Sequence, residues 1–235
     1  MNIKHRIICQ NCGAENEYYK ETCSSCKAYL RGKVFNIDLW KIIWYLIESP
    51  LKAFQEIIFS EHKNYIVFLL IAMGAKYFTN SLIIANFLSP ENSINETPFI
   101  QVFPAAAIFI ATILLIAYIS TKIFNMTGYK NKFKSVAAVL AYSFMPSVMI
   151  LFILAPIEFA LFGEHWFYHN PSPLALKHNA AMVLYGVEAV IYLWGCFLAI
   201  KGFYALTGSK MLSIIFGLLF GIILTVGMFL LPYAY

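Results

Sequence analysis

Residues 211–231 read MLSIIFGLLFGIILTVGMFLL, twenty-one residues without a charge. As a helix rising 1.5 Å per residue this stretch is about 31 Å long, the thickness of a bilayer's hydrocarbon core. A helix of this length buried in a soluble protein shows a polar stripe, and this one shows none. Lipid cannot satisfy backbone polar groups, so the segment is a membrane-spanning helix; the polar-in, apolar-out alternation of a barrel strand is absent.

Four more stretches qualify: residues 65–88, part of the charge-free run 97–121, the run between Lys134 and Glu158 continuing to Phe162, and residues 180–200. The composition agrees. Of the 235 residues, 60% are hydrophobic and 12% charged, against roughly 45–50% and about 25% in soluble domains. Charge is concentrated at the start: residues 1–63 hold nine of the 17 Lys and Arg and seven of the 12 Asp and Glu. The N-terminus lacks the apolar core and cleavage site of a signal peptide, so none is expected. Lys122, Lys130, Lys132 and Lys134 follow the second span, and Lys201 and Lys210 lie between the fourth and fifth. The opposite loops carry Glu91 and Glu96, then Glu164, Lys177, His165 and His169. The positive-inside rule therefore puts the N-terminal head in the cytoplasm and the C-terminus outside, an orientation that needs an odd number of spans. The expected location is the cell (plasma or inner) membrane, or the endoplasmic reticulum and Golgi if the source is eukaryotic.

The head contains Cys9-Gln-Asn-Cys12-Gly13 and, after ten residues, Cys23-Ser-Ser-Cys26. Two CxxC knuckles can place four thiolates around one Zn²⁺, with no position left for water, so the metal is structural. Gly13 suits the positive φ of a knuckle turn. The ten-residue spacer allows a short hairpin over residues 14–22, including Tyr18 and Tyr19. A disulfide pair or a redox CxxC is disfavoured by the cytoplasmic setting and the small size of the head. Metal binding supplies the folding energy that so small a core lacks. The unit resembles the zinc ribbons at the N-termini of many bacterial and archaeal membrane proteins, which often carry Gly after the fourth Cys where this chain has Lys27. Leu30 closes the unit, and Cys196, in the fourth span, reads as a buried free thiol.

Between head and spans, Ile37, Trp40, Ile43, Trp44 and Ile47 fall at helical spacing. Ser49-Pro50 starts a second short helix carrying Leu51, Phe54, Ile57 and Ile58. Both are expected at the membrane interface or against the cytoplasmic face of the bundle. The fold class is thus an all-α integral membrane protein: a five-helix transmembrane bundle (63–235), interfacial amphipathic helices (34–62) and a small N-terminal zinc-ribbon head (1–33).

Pro50 followed by Phe54 just before the first span, and Tyr142 with Pro146 in the third, resemble the pattern of the Yip domain family (Ypt-interacting-protein-like membrane proteins). The resemblance covers residues 49–235 and implies five spans with a cytoplasmic N-terminus. In eukaryotes it implies a tie to Rab-type GTPases and vesicle traffic. The acidic, Gly-Pro-containing segment of the trafficking members is missing, which points to the prokaryotic branch.

Ionisable residues inside spans are functional candidates. Lys76 lies midway through the first span, Glu188 in the fourth and Glu158 near the outer end of the third. Lys76 and Glu188 come within about 6 Å in depth, so a structural pair is expected, with a polar path as the alternative. Pro146 and Pro156 are both expected to interrupt the third span. Ser213, Gly217, Gly221 and Thr225 form a small-residue stripe for internal packing or a homo-oligomer contact. The outer-loop histidines, His165, His169 and His178, read as a solvated loop. No Walker loop, HExxH or nucleophile–base signature is present, so no enzyme is expected, and the scattered basic residues suit no nucleic acid. The leading expectation is a scaffold or adaptor in the lipid bilayer with a cytoplasmic protein partner on the ribbon. The alternative is a small transporter or channel using Lys76 and Glu188.

Overall fold

The computed structural model describes residues 6–17, 20, 22–30, 37–88, 98–168 and 171–231. Tyr18, Tyr19, Glu91, Glu96, His169 and the C-terminal residues 232–235 lie outside the described residues, as do the expectations placed on them.

Strands β1 (Arg6–Ile8) and β2 (Glu15–Glu17) pair antiparallel, with Ile7 opposite Asn16. They flank the first knuckle, so this hairpin encloses residues 9–14; the one expected over 14–22 falls partly outside the described residues. A single bridge, Thr22 to Tyr29, flanks the second knuckle.

Helices α1 (Leu39–Glu48) and α2 (Pro50–Phe59) follow. The side chain of Asp38 caps α1 by accepting from the Lys41 N–H. Pro50 opens α2, where its missing N–H costs nothing. Lys63, itself buried, donates to the carbonyls of Ile57, Ile58 and Ser60 and so satisfies the last turn of α2. Ala53, Phe54, Ile57 and Ile58 of α2 are buried, and α2 packs on the third and fourth spans. The expected stripe on α1 needs correction. Its inward face is Ile42 and Leu46, continued by Ile37, while Trp40, Trp44 and Ile47 are exposed at 73, 64 and 62%. The helix is apolar on two sides, one against α2 and one free to enter the bilayer surface.

Five spans are built from α3 (Ile66–Leu88), α4 (Pro98–Met126), α5 (Phe133–Ser143) with α6 (Met145–Phe162), α9 (His178–Thr207) and α10 (Lys210–Leu230). Each is long and apolar enough to cross a membrane. The short α7 (His165–Tyr168) and α8 (Pro173–Leu176) lie between the third and fourth. α4 and α9 run past their expected ends and enclose Lys122 and Lys201. Their ammonium groups sit 5.5 Å over the Tyr118 ring and 5.2 Å over the Phe197 ring, as snorkelling lysines do near an interface.

The third span is broken at Phe144, whose φ of −95° and ψ of 14° leave the helix. Pro146 starts α6 just beyond the break. Pro156 does not interrupt it: α6 continues through Pro156, which lies on the exposed face of the helix. Residues 135–143 of α5 are buried on every side, so this half-span is the centre of the bundle. The α10 stripe turns inward onto α9. A Cβ on Gly217 would overlap Ile200, one on Gly221 would lie 3.2 Å from the sulfur of half-buried Cys196, and Thr225 meets the Tyr192 hydroxyl at 2.9 Å. Internal packing therefore uses the stripe.

Candidate functional sites: a four-cysteine head and a buried charge cluster

The two knuckles repeat one backbone pattern. Cys9 N–H donates to the Ala14 carbonyl at 3.0 Å, and Gly13 N–H to the Cys9 carbonyl at 2.8 Å. Cys23 N–H donates to the Ala28 carbonyl at 2.8 Å, and Lys27 N–H to the Cys23 carbonyl at 3.1 Å. Each turn needs a positive φ at its fifth residue, 73° at Gly13 and 59° at Lys27. Lys27 thus occupies the glycine position of the second knuckle at a steric cost. Lys27→Gly is expected to strengthen the head by about 1 kcal/mol, measured as the higher chelator concentration needed to strip its metal.

The pattern turns four sulfurs toward one point. Cys9 and Cys26 are 3.6 Å apart at sulfur, Cys12 and Cys23 are 3.5 Å apart, and all four lie within 4.8 Å of one another. A disulfide requires about 2.05 Å, and all four are free thiols. A tetrahedron with 2.3 Å metal–sulfur bonds has edges of about 3.8 Å, so the four cysteines fit a metal ion. Bound there, the ion would cross-link the two knuckles. Asn16, which the spacing gave no reason to single out, is 3% exposed and supports the cluster. Its amide donates to the Ala14 carbonyl at 2.8 Å and to the Cys23 sulfur at 3.4 Å, and its carbonyl accepts from Ser24 N–H at 2.8 Å. The backbone N–H of Cys26 is the main cause holding the Cys23 thiol down to about 6, helped by Ser25 N–H and the Asn16 amide. The thiolate, the form that binds metal, is thereby favoured.

The head rests on the bundle. Ile7 packs on the hydrophobic core, and the Glu17 carboxylate meets the Lys130 ammonium at 2.5 Å. Lys130 lies in the α4–α5 turn, which is closed by Asn131 N–H donating to the Asn125 side chain at 2.8 Å. The Asn131 amide donates to the Leu206 carbonyl at 3.2 Å and fastens the turn to the end of α9.

Within the spans, Lys76 of α3 and Glu188 of α9 form an ion pair, with side chains only 4 and 6% exposed. Glu158 of α6 is 3% exposed. Its carboxyl lies close enough to Lys76, Glu188 and Trp166 for each to act on it electrostatically. The structure thus joins all three intramembrane candidates. Trp166 of α7, 2% exposed, was not singled out in the sequence. Lys76 also lines a small cavity, with room for about one water, together with Tyr77, Asn80, Ser147 and Tyr192.

The motif positions are structural. Pro50 sets the start of α2, and Phe54 is fully buried, in van der Waals reach of the backbone at Gly202. The Tyr142 hydroxyl donates to the Asn64 carbonyl at 2.6 Å and pins the start of α3 to the third span. Tyr65, with φ of 66°, turns the chain into α3 immediately after Asn64. Tyr142→Phe removes that hydrogen bond, whose acceptor lies on an exposed residue, and is expected to cost about 0.5–1.5 kcal/mol, read as a lower unfolding temperature in detergent.

Comparison with curated proteins gave no match, and comparison with solved structures gave none. The Yip1 domain matches residues 44–233, from the middle of α1 past the last span. The match spans most of the chain and all five spans, so the chain belongs to the Yip1 domain family.

Proposed function

We propose that this protein is a membrane scaffold whose head, held together by Zn²⁺ on Cys9, Cys12, Cys23 and Cys26, recruits a cytoplasmic protein to the bilayer. The observation that carries this reading is the closed thiolate set on a head resting against the bundle. Four soft sulfur ligands in tetrahedral reach suit zinc, and a site without an open position suits a binding module. Ile8 and Tyr29, 64 and 81% exposed, give the head an apolar surface for a partner. The head contacts the α4–α5 turn beside Lys130, Lys132 and Lys134, so the positive-inside rule assigns both to the cytoplasm of a plasma or inner membrane, with the C-terminus outside.

The test is affinity capture from gently solubilised native membranes, comparing the intact chain with Cys9→Ser/Cys12→Ser at matched abundance. A partner lost with the ribbon supports the scaffold. Recovery of the same partners by both forms overturns it.

The second reading, a small transporter or channel, is favoured by the buried Lys76–Glu188–Glu158 cluster beside a cavity. It requires flux through reconstituted protein that stops when Glu188 is neutralised and persists without the head.

A further inference from the structure

The intramembrane cluster has an unbalanced count of charges and donors. Lys76, Glu158 and Glu188 are 3, 3 and 5% exposed, and each comes from a different span. Two carboxyl groups face one ammonium. If both carboxyls ionise, the cluster holds a net negative charge in a region where an uncompensated charge costs several kcal/mol. The donors are also short by one. Lys76 donates to Oε1 of Glu188, and Trp166 lies near Glu158. Glu158 Oε1 and Glu188 Oε2 are buried and have no donor among the described residues, and the two carboxyl groups are close enough to act on each other. Two carboxylates alone offer only acceptors.

A single proton removes both imbalances. It turns one carboxyl into an O–H donor for the other's free oxygen, and it brings the cluster to zero net charge. We propose that Lys76, Glu158 and Glu188 form a one-proton binding site between three spans, in which the two carboxyls share the proton and Lys76 balances the remaining negative charge. The Tyr185 phenol of α9 also lies near enough to interact with Glu158, and Trp166 is a non-titrating neighbour. A metal cation suits the cluster less well. Hard cations take six or more oxygen ligands, and this cluster has two unengaged oxygens. The cavity beside Lys76, lined also by the Asn80, Ser147 and Tyr192 side chains, has room and polar partners for water that could deliver the proton. The site stands apart from the scaffold reading, because it involves no residue of the head.

The test is infrared spectroscopy of the full chain in lipid nanodiscs, in sodium-free buffer at neutral pH. Wild type is expected to show the carbonyl stretch of one protonated carboxyl per chain, shifting in D₂O. Glu158→Gln is expected to fold, since its amide replaces the shared O–H, and to abolish that band completely. If this variant does not fold, Glu158→Asp is read instead and is expected to keep the band at a changed frequency. A wild-type spectrum without a protonated carboxyl overturns the proposal. So does a band that Glu158 substitutions leave unchanged, or carboxylate bands that respond to added sodium in place of a proton.

Discussion

Lys76→Met is expected to remove about 3–5 kcal/mol of bundle stability, because truncating one partner of a buried ion pair leaves the other charge without compensation. The pair is nearly inaccessible, with side chains 4 and 6% exposed, so neither water nor salt can take over the role of the lost ammonium. The loss should appear as a sharply lower unfolding temperature and a fall in folded protein recovered from membranes. Lys76→Met/Glu188→Gln should recover most of it, since removing both partners removes the orphaned charge as well. A double variant as unstable as the sum of the two single ones would show that the residues act independently and that their contact contributes nothing.

The second large effect concerns the head. Cys9→Ser/Cys12→Ser is expected to reduce bound metal from one ion per chain to none and to unfold the knuckles, while the bundle remains folded. Two three-residue strands and two knuckle turns enclose almost no apolar core among the described residues, so a bound metal would be the principal source of order there. The bundle has its own continuous core, centred on α5. Metal analysis of purified protein and amide exchange over residues 6–30 measure the two halves of this expectation. A strong chelator applied to the wild-type protein should reproduce both results, and protection that survives metal loss would contradict them.

Hydropathy located all five spans because a bilayer demands both a length and a nearly unbroken apolar surface, a combination rare in soluble helices. Three features escaped that reading for definite reasons. Helix α1 carries apolar residues toward α2 and toward its open side, so a single stripe drawn through Trp40, Ile43 and Trp44 crossed between two faces. Pro146 and Pro156 look alike in sequence; the first coincides with a turn at Phe144 in the densely packed centre, and the second lies on the outer face of a continuous helix. The stripe on α10 announced a close approach and could not name its partner, because the complementary residues Tyr192, Cys196 and Ile200 are one segment earlier in the chain. At the head, the cysteine spacing revealed the ligands, while Asn16 carried no periodic or motif signal. Lys76 and Glu188 were legible as buried charges in opposed spans. The junction with Glu158 and Trp166 depends on how α6 and α7 turn back over α9, which no local pattern records.

The Lys76–Glu188 pair joins residues 112 positions apart. At roughly 5–20 residues per second of synthesis, α3 is delivered to the membrane about 6–22 s before its counter-ion exists. For that interval the lysine has to be tolerated alone, at an insertion cost of about 2.5–3.5 kcal/mol. The ion pair therefore cannot help α3 into the bilayer. That task falls to the other 22 residues of the helix, and the pair serves only to fix the helix in place once the fourth span arrives.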